Sequence, residues 1–301
     1  MSTPTIEPLG TATAPELTKE QVQSILVKPL ESSSVFLASG PRIFDTNGSP
    51  VRIPKMGGPT SPNWHGENEL ISEVEASFDE IELLPSTMKS VKVLTRFSNE
   101  LARQSIVALD AALRDRLVTD VANKIDTQLL GAGGDGTTTP LGLFAYTGTQ
   151  TVAVDGALAL DDLHDAWGKA LAANVNMASL RWLFTPREFI ALRKIKDLQG
   201  RYQLQPDPTA DGVFRLLGAP VTVTARIPDH TTTGDTPVTT GRAALVDFSQ
   251  IAVARDTAPS VKVLTERFAD YDQQAIRVVA RYDAAPMNPE AIVTLTGIEI
   301  D

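Results

Sequence analysis

Four polar residues near the start of a predicted helix have the types and spacing of a metal site. They are Asp161, Asp162, His164 and Asp165. An imidazole and carboxylates at i, i+3 and i+4 share one helical face, and such a set can hold a divalent ion. Acids in the first turn of a helix more often interact with the positive end of its dipole. We therefore favour a structural interpretation and predict no metal site.

No other segment carries a catalytic pattern. Gly131–Gly136 is rich in glycine, but it follows a predicted helix C-terminus and lacks the Gly-Lys-Ser/Thr that ends a phosphate loop. His65 and His230 lie far apart in predicted loops, and neither belongs to a His-Glu-x-x-His motif. The sequence therefore predicts no catalytic residue, no cofactor and no enzymatic activity.

The composition fits a folded protein that does not grip nucleic acid. Hydrophobic residues make up 42% of the 301 residues, which is enough for a core. The formal net charge is -10, whereas tight binding to phosphate backbones needs clustered Lys and Arg. A nucleic-acid reader is disfavoured, but a container with a neutral or acidic lining is allowed. Cysteine is absent, so disulfides, thiolate zinc sites and cysteine nucleophiles are excluded.

The N-terminal region has no signal-peptide pattern. Met1–Pro8 contains no basic stretch followed by an apolar one, and no run in the chain approaches the roughly 18 apolar residues of a membrane span. We expect a protein that is made in the cytoplasm and does not contact a membrane. Residues 1–15 lack periodicity and are predicted to form an arm, with a short helix at Leu17–Val27.

One long amphipathic helix dominates the predicted elements. Its apolar residues recur every four positions, at Leu109, Leu113, Leu117, Val121, Ile125 and Leu129. Ser98 can cap its start and Gly131 can end it, so a helix of about 30 residues would be about 45 Å long. A rod of this length suggests a flat, elongated subunit rather than a compact enzyme.

Shorter helices and strands fill the rest of the chain. One helix is predicted around Leu160, Leu163, Trp167 and Leu171; another runs from a capping box at Thr185–Glu188 to about Lys196. Strand patterns occupy Val51–Ile53, Phe78–Leu83, Val91–Leu94, Arg181–Phe184, Leu216–Ile227, Ala243–Phe248, Ile251–Ala254, Ser260–Leu264, Ile276–Ala280 and Ala291–Thr296. Together these elements predict an α+β fold.

The chain between Lys55 and Lys89 has an unusual charge pattern. It contains no Lys or Arg, and its acids are Glu67, Glu69, Glu73, Glu75, Asp79, Glu80 and Glu82. A turn-rich tip and strand-like flanks predict a long hairpin, and we call residues 51–83 the acidic hairpin. It is either a solvated surface feature or a segment that docks on a basic neighbour.

Five stretches form a recognisable series along the chain. They are Arg96–Leu101 (Arg-Phe-Ser-Asn-Glu-Leu), Ile125–Leu143 with its Pro-Leu-Gly-Leu end, Arg181–Tyr202 with Lys-Asp-x-x-Gly-Arg-Tyr, Leu217–Val221 (Leu-Gly-Ala-Pro-Val) and Asp270–Ala291. In this order and at these separations they resemble the major capsid proteins of tailed bacteriophages. Each piece alone is weak, but five in register cover roughly residues 50–300. The resemblance implies the HK-ninety-seven-type fold.

The resemblance also implies how the α+β phage capsid fold divides the chain. Residues 1–50 would form an N-terminal arm, 51–96 the extended β-hairpin called the E-loop with its flanking strands, and 97–154 a peripheral domain with the long spine helix. Residues 155–268 would form an axial domain, and 269–301 the return strands of the peripheral domain.

By the same resemblance, the function is that of a major capsid protein. Copies would assemble into the hexamers and pentamers of an icosahedral shell, enclosing double-stranded DNA without sequence-specific binding, in a virion capsid assembled in the bacterial host cytoplasm. Expected partners are a portal, possibly a decoration protein and, because only about 50 residues precede the E-loop, a separate scaffolding protein or none. Two alternatives stay open: an encapsulin-type nanocompartment shell and a soluble hydrolase.

Charge patterning yields a candidate interface between subunits. In the family the E-loop lies across an adjacent subunit, so the acidic hairpin is predicted to dock on a neighbour's basic face, most plausibly its spine helix. The candidate interface residues are Glu67, Glu69, Glu73, Glu75, Glu82, Arg103, Arg114, Arg116 and Lys124.

Overall fold

The computed structural model describes residues 34–56, 64–68, 70, 78–84, 89–99, 109–204, 214–231, 238–256, 260–264 and 268–300, without the side chains of 109–114, 260 and 269. The helix predicted at Leu17–Val27 lies outside the described residues. No helix in the described part of the chain is both long and apolar enough to cross a membrane.

The α+β prediction is confirmed. The helices are α1 (Val35–Ala38), α2 (Leu109–Leu129), α3 (Leu160–Ala172) and α4 (Pro186–Arg193). The strands are β1 (Arg42–Thr46), β2 (Val51–Met56), β3 (Phe78–Leu83), β4 (Ser90–Ser98), β5 (Gln150–Gly156), β6 (Leu180–Phe184), β7 (Arg215–Leu216), β8 (Ala219–Val223), β9 (His230–Thr231), β10 (Thr239–Asp247), β11 (Ile251–Asp256), β12 (Ser260–Leu264), β13 (Gln273–Pro286) and β14 (Ile292–Ile298).

The first sheet is built around the long strand β13. Its N-terminal part lies between β4 and β12, and its C-terminal part pairs with β11, which pairs in turn with β1. The spine helix α2 packs on β4 and β13. Alternate residues of β13, such as Ile276 and Val278, join Leu117 and Val121 of the helix in one buried cluster. This alternation is the expected result of covering one face of an antiparallel sheet.

The second sheet has seven strands, and its central strands β6 and β10 are buried on both faces. Its order is β5-β14-β10-β6-β8-β7, with β9 paired to β10. Trp182 and Leu245 pack with α3 and α4, whereas Leu183 and Val246 join the cluster that holds the spine helix. Covering both faces explains why the centre of β10 is a continuous apolar run rather than an alternating one.

The fully buried carboxylate of Asp126 ties three distant segments together. One oxygen accepts hydrogen bonds from the Ser34 hydroxyl and the Phe36 N–H, and the other from the Val35 N–H at 2.8 Å. Arg226 donates to the same carboxylate at 2.7 Å. These bonds satisfy free N–H groups at the start of α1 and neutralise a charge that burial would otherwise make very costly. They fix α1 and the segment around Arg226 against the spine helix.

The sheets do not follow the predicted domain boundaries. Strands β11 and β12, predicted in the axial domain, belong to the sheet of β4 and β13. Strand β14, predicted as a peripheral return strand, lies in the seven-stranded sheet beside β5. Residues 34–46, predicted within the arm, form α1 and β1 and pack into the body. Sequence pattern identifies strands but does not encode which distant strand each one pairs with.

Several local predictions are confirmed and three need correction. The helix through Leu117 ends at Leu129, two residues before Gly131. Ser98, predicted to cap its start, is the last residue of β4. Leu171, predicted on the buried face of α3, is exposed. Thr185 caps α4 as predicted, but this helix ends at Arg193 rather than near Lys196. Glu188 does not complete the capping box, because its carboxylate accepts a hydrogen bond from Arg187.

Replacing Leu117 with Ala should destabilise the protein by about 2–5 kcal/mol, because it opens a cavity beneath the spine helix. Urea or thermal unfolding measures the change. Leu171→Ala is the matched control, an exposed leucine on another helix, and should change stability by less than about 0.5 kcal/mol. Equal effects of the two substitutions would show that the packing face of the spine helix is wrongly assigned.

Candidate assembly surface

The base of the acidic hairpin is a two-stranded ribbon of β2 and β3. One face carries the cross-strand pairs Val51 with Leu83 and Ile53 with Ile81. These side chains pack on a small core that includes Ala252 and Ala254 of β11. The hairpin is therefore held by its root and leaves the other face uncovered.

The uncovered face of the hairpin combines acids with large apolar side chains. The pairs on this face are Arg52 with Glu82, Pro54 with Glu80 and Met56 with Phe78. Met56 and Phe78 are 66% and 73% exposed, and Trp64 is fully exposed. Large apolar side chains that are exposed side by side, as Met56 and Phe78 are, mark an interaction surface more often than a solvated one.

Antiparallel pairing partly offsets the acidity that the sequence predicted. Arg52 precedes the segment that lacks basic residues, yet its guanidinium lies 3.9 Å from the Glu80 carboxylate and 3.8 Å from that of Glu82. Lys55 is paired in register with Asp79. The contacts of Arg52 are exposed and contribute only about 0.2–1 kcal/mol each. The base of the hairpin stays acidic by a smaller margin than the sequence count suggested.

A buried ion pair lies at the C-terminal end of the hairpin, after β3. The Lys89 ammonium lies 2.7 and 2.8 Å from the two carboxylate oxygens of Asp283, and the two side chains are 7% and 1% exposed. The Leu84 N–H donates to the same carboxylate at 2.9 Å. Burial, and then the charge of Asp283, raise the pKa of the nearby Tyr146 above its usual range. The Asp283 carboxylate thus joins β13 to both residues that flank 85–88.

The predicted interface residues fall into two groups. Glu67, Glu82, Arg116 and Lys124 are exposed side chains. Arg116 pairs with Asp120 at 3.2 Å on its own helix, and Lys124 lines a groove of about 490 Å³ between β4 and the spine helix. Glu69, Glu73, Glu75 and Arg103, and the side chain of Arg114, lie outside the described residues. Docking of the hairpin on the spine helix of a neighbour stays a prediction. The sequence analysis did not single out Lys89 and Asp283. Their role follows only from their pairing, and they are 194 residues apart in the chain.

In each of the two sequence patterns that resembled chemical sites, an acidic side chain has a structural role. Asp162 accepts the Ala159 N–H at 2.8 Å and so caps α3, while His164 and Asp165 are exposed. In the glycine-rich turn, Asp135 accepts from the N–H groups of residues 137–139, and hydrogen bonds led by that from the Thr138 hydroxyl hold the pKa of Asp135 well below its usual range. A carboxylate in that place would repel a phosphate.

Comparison with known proteins gives a consistent result. Residues 16–297 match the model of the phage capsid family. The major capsid protein of Klebsiella oxytoca phage phiKO2 is 23% identical, over 94% of this chain and 68% of that protein.

Solved structures share the fold at low sequence identity. The capsid of a native GTA particle superposes with a TM-score of 0.70 at 19% identity, over 89% of this chain and 91% of that chain. A structure of Mycobacterium phage Bobi gives a TM-score of 0.68 at 16% identity, over 98% and 100%. The α+β elements described above are thus those of the phage capsid fold.

Lys89→Met should destabilise the protein by about 3–5 kcal/mol, because it leaves the Asp283 charge buried without its partner. Lys92→Met, at an exposed lysine three residues away, is the matched control and should have little effect. The double variant Lys89→Met/Asp283→Leu should recover much of the loss. Urea unfolding of the single and double variants measures the coupling, and additive effects would contradict a direct pair.

Proposed function

This chain belongs to the phage capsid family, and we propose that its copies assemble through hexameric and pentameric rings into an icosahedral shell around double-stranded DNA. It is a major capsid protein, and many copies form the virion capsid. The observation that carries this conclusion is the family match over residues 16–297, almost the whole chain.

The alternative functions are less well supported. The solved neighbours described above are phage and GTA capsids, so an encapsulin-type compartment is not favoured. A soluble hydrolase would need a cleft in which ionisable groups are poised for catalysis. The large pKa shifts of Asp135 and Tyr146 have structural causes, a loop cap and burial beside an ion pair. We propose a purely structural role without catalysis.

The proposal includes partners besides further copies of the chain. A portal and a separate scaffolding protein would take part in assembly in the host cytoplasm, with a decoration protein as an optional addition. The acidic composition, with a net charge of -10, suits a container that holds DNA without binding its sequence.

Contacts between copies would use the acidic hairpin. Its uncovered face offers exposed acids beside Met56 and Phe78, a combination that fits a basic and partly apolar face on a neighbouring subunit. The spine helix, with Arg103, Arg114, Arg116 and Lys124, is the face that the sequence predicted. Single exposed ion pairs contribute only about 0.2–1 kcal/mol, but every subunit repeats the contact.

The purified protein should form large closed particles. Sedimentation at micromolar concentration, followed by negative-stain microscopy, tests this expectation. A stable monomer under all conditions of salt and crowding would contradict the proposal, and a co-purified enzyme in place of DNA would favour the compartment alternative.

Reversing the hairpin charge should block assembly without unfolding the subunit. We expect the variant Glu73→Lys/Glu75→Lys/Glu82→Lys to give far fewer particles than wild type at low salt, because its hairpin would repel a basic face. The control Asp155→Lys/Asp165→Lys/Glu299→Lys changes the net charge equally at exposed sites elsewhere. Particle yield by sedimentation and secondary structure by circular dichroism are measured together. Normal assembly of the hairpin variant would mean that the acidic side chains of the hairpin are solvated and make no assembly contact.

A further inference from the structure

One face of the first sheet is basic where β13 lies between β4 and β12. The strands β4 and β12, and residues 273–282 of β13, contain no Asp or Glu, in a chain whose net charge is -10. Their cations are Lys92, Arg96, Lys262, Arg277 and Arg281. The strand β4 begins Ser-Val-Lys-Val-Leu, and the whole of β12 repeats these five residues on the other side of β13.

The strand register places these cations on the face away from the spine helix. Lys262 lies opposite Arg277, which lies opposite Leu94 on the other flank. Lys92 lies opposite Val279, two residues along β13 from Arg277. Because side chains alternate between faces, the inward positions are those of Ile276 and Val278, which are buried under the helix. We call the exposed side chains Lys92, Leu94, Arg96, Lys262 and Arg277 the basic sheet face.

Three of these cations have no anionic partner among the described residues: Lys92, Lys262 and Arg277. Arg281 is paired with Asp256 at 2.6 Å, and Arg96 lies over the ring of Phe268 at 5.1 Å. Lys262 and Arg277 are directly opposed, and like charges in that position destabilise a sheet pair. An anionic occupant would remove this repulsion.

The spine helix is a poorer receiving surface. Between Leu109 and Leu129 it carries three cations, Arg114, Arg116 and Lys124, and four acids, Asp110, Asp115, Asp120 and Asp126. Arg116 is already paired with Asp120. The helix is therefore close to balanced in charge, whereas the sheet face is positive throughout.

We propose that the basic sheet face of one copy receives the acidic hairpin of a second copy. This inference rests on the proposed function and moves the docking face from the spine helix to β4, β12 and β13. Glu80 and Glu82 are two residues apart on β3, so their carboxylates project from one face about 7 Å apart. This is comparable to the diagonal spacing of Lys92 and Arg277 on neighbouring strands, about 7–8 Å. Complementary charge sets the register of the contact.

The apolar residues within the basic sheet face favour a protein over DNA as its occupant. Leu94 is 46% exposed between the cations, and Met56 and Phe78 are exposed beside the hairpin acids. Phosphate backbones need cations but gain nothing from a leucine. A protein neighbour would cover both the charged and the apolar side chains.

The absence of cysteine in this chain permits a direct test. Copies carrying Glu80→Cys are mixed before assembly with copies carrying Lys262→Cys or Lys92→Cys, and the shells are treated with a short bis-maleimide. The control mixture replaces the second partner with Lys124→Cys, on the spine helix. We expect several-fold more cross-linked dimer with at least one sheet-face cysteine than with the control. A control yield equal to or above the sheet-face yield would overturn the inference, as would shells without any cross-link.

Charge reversal separates this inference from the proposed function. The variant Lys92→Glu/Lys262→Glu/Arg277→Glu should lose shell formation, and mixing it with Glu80→Lys/Glu82→Lys copies should restore part of it. If hairpin reversal blocks assembly and sheet-face reversal does not, the docking face is wrong but hairpin docking stands. If neither reversal lowers the yield of shells, both the sheet-face inference and hairpin docking are wrong. Normal shells that retain less DNA would assign the face to DNA instead. If the Lys92→Glu/Lys262→Glu/Arg277→Glu variant unfolds, the cross-linking of single-cysteine copies still tests the inference.

Discussion

The buried carboxylate of Asp126 is the constraint on which the arrangement of the subunit depends. A charge at this depth is tolerated only when hydrogen-bond donors surround it, and here the donors come from Ser34, from the first turn of α1 and from Arg226. Arg226 and Ser34 are 100 and 92 residues away in sequence. The Asp126 carboxylate therefore has all its hydrogen-bond donors only when both distant segments are in place. This requirement couples formation of the spine helix to the global fold.

The same device recurs at the root of the acidic hairpin. Asp283 binds the Lys89 ammonium and the Leu84 N–H, while the apolar core beneath the hairpin is small and rich in alanine. A small apolar core would allow the hairpin to tilt, since apolar contacts have no direction. Directional bonds to a buried carboxylate restrict that tilt. Both α1 and the base of the acidic hairpin are thus fixed to the rest of the fold by buried acids.

Local chemistry was predictable from sequence, and distant pairing was not. Leu217–Val221 was among the stretches that resembled the family, and its first two residues adopt positive φ, as a two-residue hairpin between β7 and β8 requires. The strand patterns at Phe78–Leu83 and Ala243–Phe248 also gave correct strands, β3 and most of β10. By contrast, the pairing of Arg52 with Glu80 and Glu82, and the membership of β11 and β12 in the first sheet, depend on which strands meet in space. Neither leaves a periodic signal, so counting charges along the chain overstated the acidity of the hairpin and missed the basic sheet face.

Rigid roots and weak outer contacts together suit a protein that must assemble many times without error. Exposed ion pairs of about 0.2–1 kcal/mol form and break readily, and salt screens them beyond a Debye length of about 8–10 Å. In the docking proposed above, the acidic surface as a whole would repel other copies at a distance, while cations gathered on one sheet face would attract the hairpin only when it is suitably oriented. Since a buried carboxylate holds the hairpin root, each weak contact would form at a defined angle. The angle, rather than the strength of any one contact, would then decide whether rings of subunits close into a shell.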